Sequence, residues 1–216
     1  MNHNKVIKLW LFPKNRNNEC RSITKDEQNI ADKLPLLKAK EFVYSRGCVR
    51  EALSDVFGMH SLKIPLKAFP GKTPILPRGF GYVSFSHCKD NLLVGWSFKK
   101  IGVDIERFDR IFDANAISNF FYFKKEKDQL SLSPRGKYRL ETLKLWVSKE
   151  ASIKWQQNGS ISKDLLNWEI SQNNQKAFHK LINKKINIFN LKYKSWYLAL
   201  AYNCRKIMIK KIIEKN

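Results

Sequence analysis

The chain has 216 residues, 43% hydrophobic and 28% charged, which is ordinary globular usage, enough for one large domain or two small ones, and excludes disorder as the main state. No apolar run approaches the ~18 residues that span a bilayer, the opening Met-Asn-His-Asn-Lys-Val-Ile-Lys has no secretory apolar stretch, and Cys20, Cys48, Cys88 and Cys204 show no Cys-x-x-Cys spacing. A cytoplasmic chain with free thiols and no membrane contact is expected. The net charge of +22 attracts polyanions, but it comes from 31 Lys and only 10 Arg, spread as 18 basic and 8 acidic groups over residues 1–102 and 23 and 11 over 103–216. A diffuse field with few Arg forks argues against a dedicated nucleic-acid reader.

In chain order, Val6 to Phe12 reads as an opening strand. Thr24-x-x-Glu27 is a capping box for a short helix that Pro35 interrupts. From Leu36 to Phe57 the positions Phe42, Val49, Leu53, Val56 and Phe57 fall on one helical stripe, closed by Gly58. Pro65, Pro70, Gly71, Pro74 and Pro77 predict loops and short strands over 62–80. Three strands follow at Tyr82–Ser86, Leu92–Phe98 and Ile101–Glu106, the last two joined tightly at Lys99-Lys100. Asp113 caps a short helix through Phe121. Ser133-Pro134 predicts the start of a long helix with the stripe Leu140, Leu143, Val147 and Ala151, ending near Asn158 at Gly159. Strands are predicted at Trp168–Ile170, Ala177–Ile182, Ile186–Tyr193, Trp196–Tyr202 and Lys206–Ile213. The fold class is α+β: two similar lobes, each a long helix on a small, mostly antiparallel sheet, covering 1–102 and 103–216.

Five local patterns carry chemistry. In Gly102-Val-Asp104-Ile-Glu106, the two acids share one face of a strand while Val103 and Ile105 face the core. Adjacent carboxylates resist ionising together, so the pair is either a solvated face or an oxygen-ligand site for Mg²⁺ or Mn²⁺. In Trp146-x-x-Lys149-Glu150-x-x-x-Lys154, positions 146, 150 and 154 share a helical stripe, and Glu150 is either a third ligand or a surface ion pair. Ser84-Phe85-Ser86-His87-Cys88 ends a strand with a polar pair suited to a phosphate. Pro70-Gly71-Lys72-Thr73-Pro74 holds a lysine on a stiff turn and is not a P-loop. Ser45-Arg46-Gly-Cys-Val-Arg50 places two arginines one turn apart, at least one of them suited to a salt bridge.

Together these residues resemble the Sfp-type 4′-phosphopantetheinyl transferases. The matching marks are Gly102-Val-Asp104-Ile-Glu106, Phe120-Phe121-x-x-x-x-Glu126 and Trp146-x-x-Lys149-Glu150-Ala-x-x-Lys154, with Gly71-Lys72, Ser86-His87 and the Arg46 helix upstream in order. The resemblance departs at Cys88, where a hydroxyl is usual, at Thr73, and at Glu41, near the place of a basic residue that Lys38 or Lys40 can substitute. It implies transfer of the 4′-phosphopantetheine arm of coenzyme A to a serine of an apo acyl or peptidyl carrier protein, releasing adenosine 3′,5′-bisphosphate. It implies Asp104, Glu106 and Glu150 as Mg²⁺ ligands, Glu150 and Lys154 as catalytic groups, and Arg46, Lys72, Ser86, His87, Lys149 and Lys154 as coenzyme A contacts. Phe120, Phe121 and Tyr122 are either candidates for carrier docking or core residues, and a monomer suffices. The rival readings are a Mg²⁺-dependent phosphodiesterase or nuclease and a non-enzymatic basic nucleic-acid-binding module.

Overall fold

A computed structural model describes residues 6–14, 21–134, 136–158, 161–204 and 208–215. Cys20, Gly159 and Lys206 lie outside them. Strand β1 (Val6–Pro13) is followed by helices α1 (Lys25–Ala31) and α2 (Leu36–Phe57), then strands β2 (Tyr82–His87), β3 (Asn91–Ser97) and β4 (Ile101–Arg107). Helices α3 (Ala114–Phe121), α4 (Lys124–Ser131), α5 (Tyr138–Gln156) and α6 (Ile161–Asp164) come next. Strands β5 (Trp168–Ile170), β6 (Lys176–His179), β7 (Lys184–Tyr193), β8 (Trp196–Tyr202) and β9 (Met208–Glu214) complete the chain.

The first sheet has the order β2-β3-β1-β9 and the second β4-β8-β7-β6-β5. All pairings are antiparallel except β1 with β9, so the last strand returns to the first sheet. The α+β expectation of a long helix on each small sheet holds. Strand alternation explains the layering. Trp10, Phe12, Leu92, Val94 and Trp96 pack against α2 through Tyr44, Val49, Ala52 and Leu53. Ile7, Leu9, Leu11 and Leu93 on the opposite face meet Ile101, Val103, Ile105, Leu198 and Leu200 of the second sheet. Tyr197, Ala199 and Ala201 turn the other way, towards Leu143, Val147 and Ala151 of α5. The order of layers is therefore helix, sheet, sheet, helix.

Local chemistry sets the element ends. Thr24 accepts from the Glu27 amide while the Glu27 carboxylate accepts from the Thr24 amide at 2.9 Å, the expected capping box. Gly58 closes α2 in the left-handed region at φ 62°. One boundary differs from expectation. Ser133 and Pro134 do not start the long helix. Ser133 N–H donates to Leu130, closing the turn after α4, and Gly136 is left-handed at φ 83°, so regular helix begins only at Tyr138. The tight Lys99-Lys100 link carries the chain from the first sheet to the second. β3 is buried along its whole length, and its Gly95 admits Val103, whose Cγ1 would stand 2.7 Å from an added Cβ. Among the described residues no helix is long and apolar enough to cross a membrane.

Arg50 is one of the two arginines expected on α2. It pairs with buried Glu27 at 2.7 Å and donates to the carbonyls of Ser61, Ile64 and Leu66, stitching the 61–66 loop to α2.

Candidate active site

β4 pairs with β8 so that Asp104 lies opposite Ala199 and Glu106 opposite Tyr197. Since Val103 and Ile105 are committed to the inter-sheet core, Gly102, Asp104 and Glu106 turn towards α5. Contact between β4 and α5 is backbone-close at Gly102. A Cβ there would sit 2.0 Å from the Ala151 carbonyl oxygen and 2.4 Å from the Trp155 nitrogen. Neither atom can yield without moving α5. Gly102→Ala is therefore expected to cost about 1–3 kcal/mol by overpacking and to separate Asp104 from α5. Denaturant unfolding, paired with an activity assay of the folded fraction, measures both effects.

That contact brings together groups distant in sequence. Lys154 Nζ lies 2.6 Å from Asp104 Oδ1 and 3.8 Å from Glu150 Oε2. Ser86, from the edge strand β2, donates its hydroxyl to Asp104 Oδ1 at 2.5 Å and accepts from Lys154 Nζ at 2.7 Å. Ser84 fixes the same edge by accepting from the Val103 amide at 3.0 Å. Glu106 is ion-paired with Arg110, whose backbone carbonyl accepts from Arg139 at 2.7 Å.

Three carboxylates so placed disfavour ionising together. Burial, then the charge of Asp104, pushes Glu150 up to about 8. Burial, with Asp104 adding to it against the pull of Arg110, pushes Glu106 up to about 7. Lys154 is the counterweight: burial works against its charge, but Asp104 and Glu150 outweigh it and its pKa is raised. Asp104 Oδ2 is buried with no hydrogen-bond partner among the described residues. An all-oxygen donor set with an orphaned carboxylate oxygen suits a hard divalent cation in chemical type. In spacing it is not closed around one. Among the described residues no three acid, histidine or cysteine side chains stand at metal-ligand distance, and the Lys154 ammonium supplies the positive charge at Asp104.

Through Glu106 the cluster borders a cleft of about 920 Å³ at the C-terminal ends of β2 and β4, whose walls include Lys14, Glu41, His87, Arg107 and Arg110. His87 is 47% exposed there at its side chain. Lys72 is exposed on its loop, and its neighbour Thr73 donates to the Gln157 carbonyl at the end of α5, so the loop bridges the two halves. The remaining expectations need correction. Arg46 is no free anion ligand. It is buried, donates from Nε to the Ala68 carbonyl at 2.7 Å and from Nη1 to Ser45 Oγ at 2.9 Å, and lies over the Phe42 ring. Burial pushes its pKa down to about 10. Lys149 does not face Asp104 and Glu150. It lies on the opposite side of α5, fully buried, 2.9 Å from Glu126 Oε2, donating to the carbonyls of Phe121, Leu165 and Trp168. Tyr122 is likewise a core residue, its hydroxyl donating to the Thr142 carbonyl at 2.7 Å, whereas Phe120 is 70% exposed.

Residues 100–204 match the family model of the 4′-phosphopantetheinyl transferase superfamily. No curated protein matches the chain. The matched segment runs from β4 to the end of β8 and contains Asp104, Glu106, Glu126, Lys149, Glu150 and Lys154. Ser86, His87, Lys72 and Arg46 precede it. The superfamily match points to phosphopantetheine transfer, with coenzyme A and a carrier protein as the corresponding partners. Arg110 and Lys14 escaped the sequence reading because a lone basic residue after a strand carries no spacing signal.

Proposed function

We propose that the protein transfers the 4′-phosphopantetheine arm of coenzyme A to a serine hydroxyl of an apo acyl or peptidyl carrier protein, as in the Sfp-type branch of the superfamily. The observation that carries this reading is the meeting of Asp104, Glu150 and Lys154 inside the matched segment, next to a cleft with basic walls. The serine oxygen attacks the phosphorus that bears the pantetheine arm. The P–O bond to adenosine 3′,5′-bisphosphate breaks as the new one forms. Glu150, directly or through a water it orients, takes the serine proton; a base with a pKa of about 8 is matched to neutral solution. Lys154 donates to the departing bisphosphate and offsets its growing charge, the main task in phosphoryl transfer. Ser86 holds Lys154 and Asp104 in register, and His87 and Lys72 face the anionic end of the coenzyme. Asp104, Glu106 and Glu150 are the residues that would hold Mg²⁺ or Mn²⁺, which when bound would neutralise pyrophosphate charge.

The reading gives the charge of +22 a use, since carrier proteins of this type are acidic and a basic face speeds their encounter. Exposed Phe120 is the candidate apolar contact for the carrier. Both walls of the cleft come from one chain, so a monomer suffices.

Protein incubated with coenzyme A, Mg²⁺ and a panel of apo carrier proteins should add the phosphopantetheine mass to one carrier serine. Release of bisphosphate without carrier modification would mark a phosphodiesterase instead. No mass gain on any carrier overturns the proposal.

A further inference from the structure

The core between the two sheets ends at the cleft in a polar contact. On β4 the side chains of Val103, Ile105 and Arg107 point to the first sheet, and Leu200, Leu198 and Trp196 of β8 lie opposite them in register. The first two pairs are apolar and buried. The third, Arg107 beside Trp196, meets the carboxylate of Asp90 in the turn between β2 and β3. Asp90 Oδ1 accepts from Trp196 Nε1 at 3.1 Å and from Cys88 Sγ at 3.4 Å, and Asp90 Oδ2 is ion-paired with Arg107. The turn is held from behind as well, because the Asp90 carbonyl accepts from the Lys14 amide at 2.8 Å. Partial burial works against the charge of Asp90, but Trp196 and Arg107 outweigh it and hold the carboxyl below the usual range. Arg107 has a second counter-charge in Asp109, which accepts from its Nε at 2.7 Å and its Nη2 at 2.6 Å. The place of this contact matters because the cleft takes its walls from both sheets. Lys14 and His87 stand on the side of the first sheet, beside the turn. Glu106 immediately precedes Arg107 and turns the opposite way, towards α5.

We propose that Asp90 is a positioning residue: by holding the β2–β3 turn on Arg107 and Trp196, it fixes the separation between the cleft wall of the first sheet and the acid-bearing strand β4. Its contacts are all made within the protein, so the cleft is set before a ligand enters and binding does not have to order it. The choice of coenzyme A as the ligand that reads this separation rests on the transferase reading; the tether between the sheets does not.

Amide hydrogen exchange and coenzyme A calorimetry on the full chain provide the test. The Lys14 amide, bonded to the Asp90 carbonyl, and the Phe108 amide, bonded to the Ser195 carbonyl at 3.0 Å, lie on the two sides of the tether. Asp90→Ala should speed exchange at both by about tenfold, with amides in the middle of β1 unchanged. Coenzyme A should bind about fivefold more weakly. Arg107→Met should weaken it too, and the double variant should be no worse than either single one, since each opens the same tether. The two substitutions change the charge of the cleft in opposite directions. A pure field effect would therefore tighten coenzyme A in Asp90→Ala and weaken it in Arg107→Met, and that result, or additive losses in the double variant, overturns the proposal. Unchanged exchange, or equal acceleration at every amide, overturns it as well, because Asp90 would then tether nothing or serve overall stability alone. If Asp90→Ala does not fold, Asp90→Asn, whose amide oxygen still accepts from Trp196, gives the same comparison at reduced size. Should the wild type not bind coenzyme A, the transferase reading falls, while the exchange rates still decide the tether.

Discussion

Replacing Glu150 by Gln is expected to lower the transfer rate by about 10²–10⁴-fold while leaving the melting temperature of the metal-free protein unchanged or higher. The two halves have one cause. Glu150 is largely buried beside Asp104 and Glu106, and burial with their repulsion pushes its pKa up to about 8. Such a group is costly to the fold in neutral solution, because it ionises more readily in the unfolded chain than here. The amide keeps the shape, removes that cost, and can accept no proton from the carrier serine. Asp104→Asn should behave differently. Asp104 is 1% exposed and its Oδ1 holds both Lys154 and Ser86, so the exchange weakens a buried ion pair and lowers stability together with activity. Stopped-time mass assays and thermal melts on both variants separate the cases. A Glu150→Gln protein that melts well below wild type would trace its lost activity to folding rather than to chemistry.

The contrast also shows what the sequence could convey. Period-2 alternation placed Asp104 and Glu106 on one face of β4, and period-3.6 spacing placed Glu150 and Lys154 on one stripe of α5, because both rules are local. Thr24, Asp113 and Gly58 were legible as helix ends for the same reason, since a cap is decided within four residues. What alternation cannot say is which sheet lies against which face. The strands β3 and β4 follow each other within three residues yet belong to different sheets, and β9 closes the first sheet from the far end of the chain. Nor can spacing say which side of a helix is covered by other elements. Lys149 and Glu150 are neighbours in the motif, but adjacent helical residues point about 100° apart. Burial of α5 on both sides sends one to the site and the other to the core. The Ser133-Pro134 start failed because capping chemistry is also turn chemistry, and Gly136 held the chain in a turn for four more residues.

Lys149→Met is expected to destabilise the protein by about 3–5 kcal/mol, the usual cost of stranding one partner of a buried ion pair, while the folded fraction keeps near wild-type turnover. Lys149 and Glu126 are 0% and 1% exposed. Glu126 also accepts from the amides of Phe123 at 2.8 Å and Ile170 at 2.8 Å, and Lys149 reaches the Trp168 carbonyl at 2.6 Å. One ion pair thus ties α5 to the end of α3, to the start of α4 and to β5, and fixes the outer side of the helix whose inner side carries Glu150 and Lys154. Removing the ammonium leaves Glu126 buried without its counter-charge, and burial already pushes that carboxyl up. Glu126→Gln combined with Lys149→Met removes both charges and should recover part of the loss, since the amide oxygen can still accept from one of the Phe123 and Ile170 N–H groups, which meet different carboxylate oxygens in the wild type. Urea unfolding of the two single variants and the double gives the coupling between the pair. Turnover must be measured below the lowered transition so that only folded molecules are compared. If Lys149→Met kept full stability but lost turnover and coenzyme A affinity, Lys149 would have to reach the phosphates in the working enzyme, against its position beneath Phe121, Leu165 and Trp168.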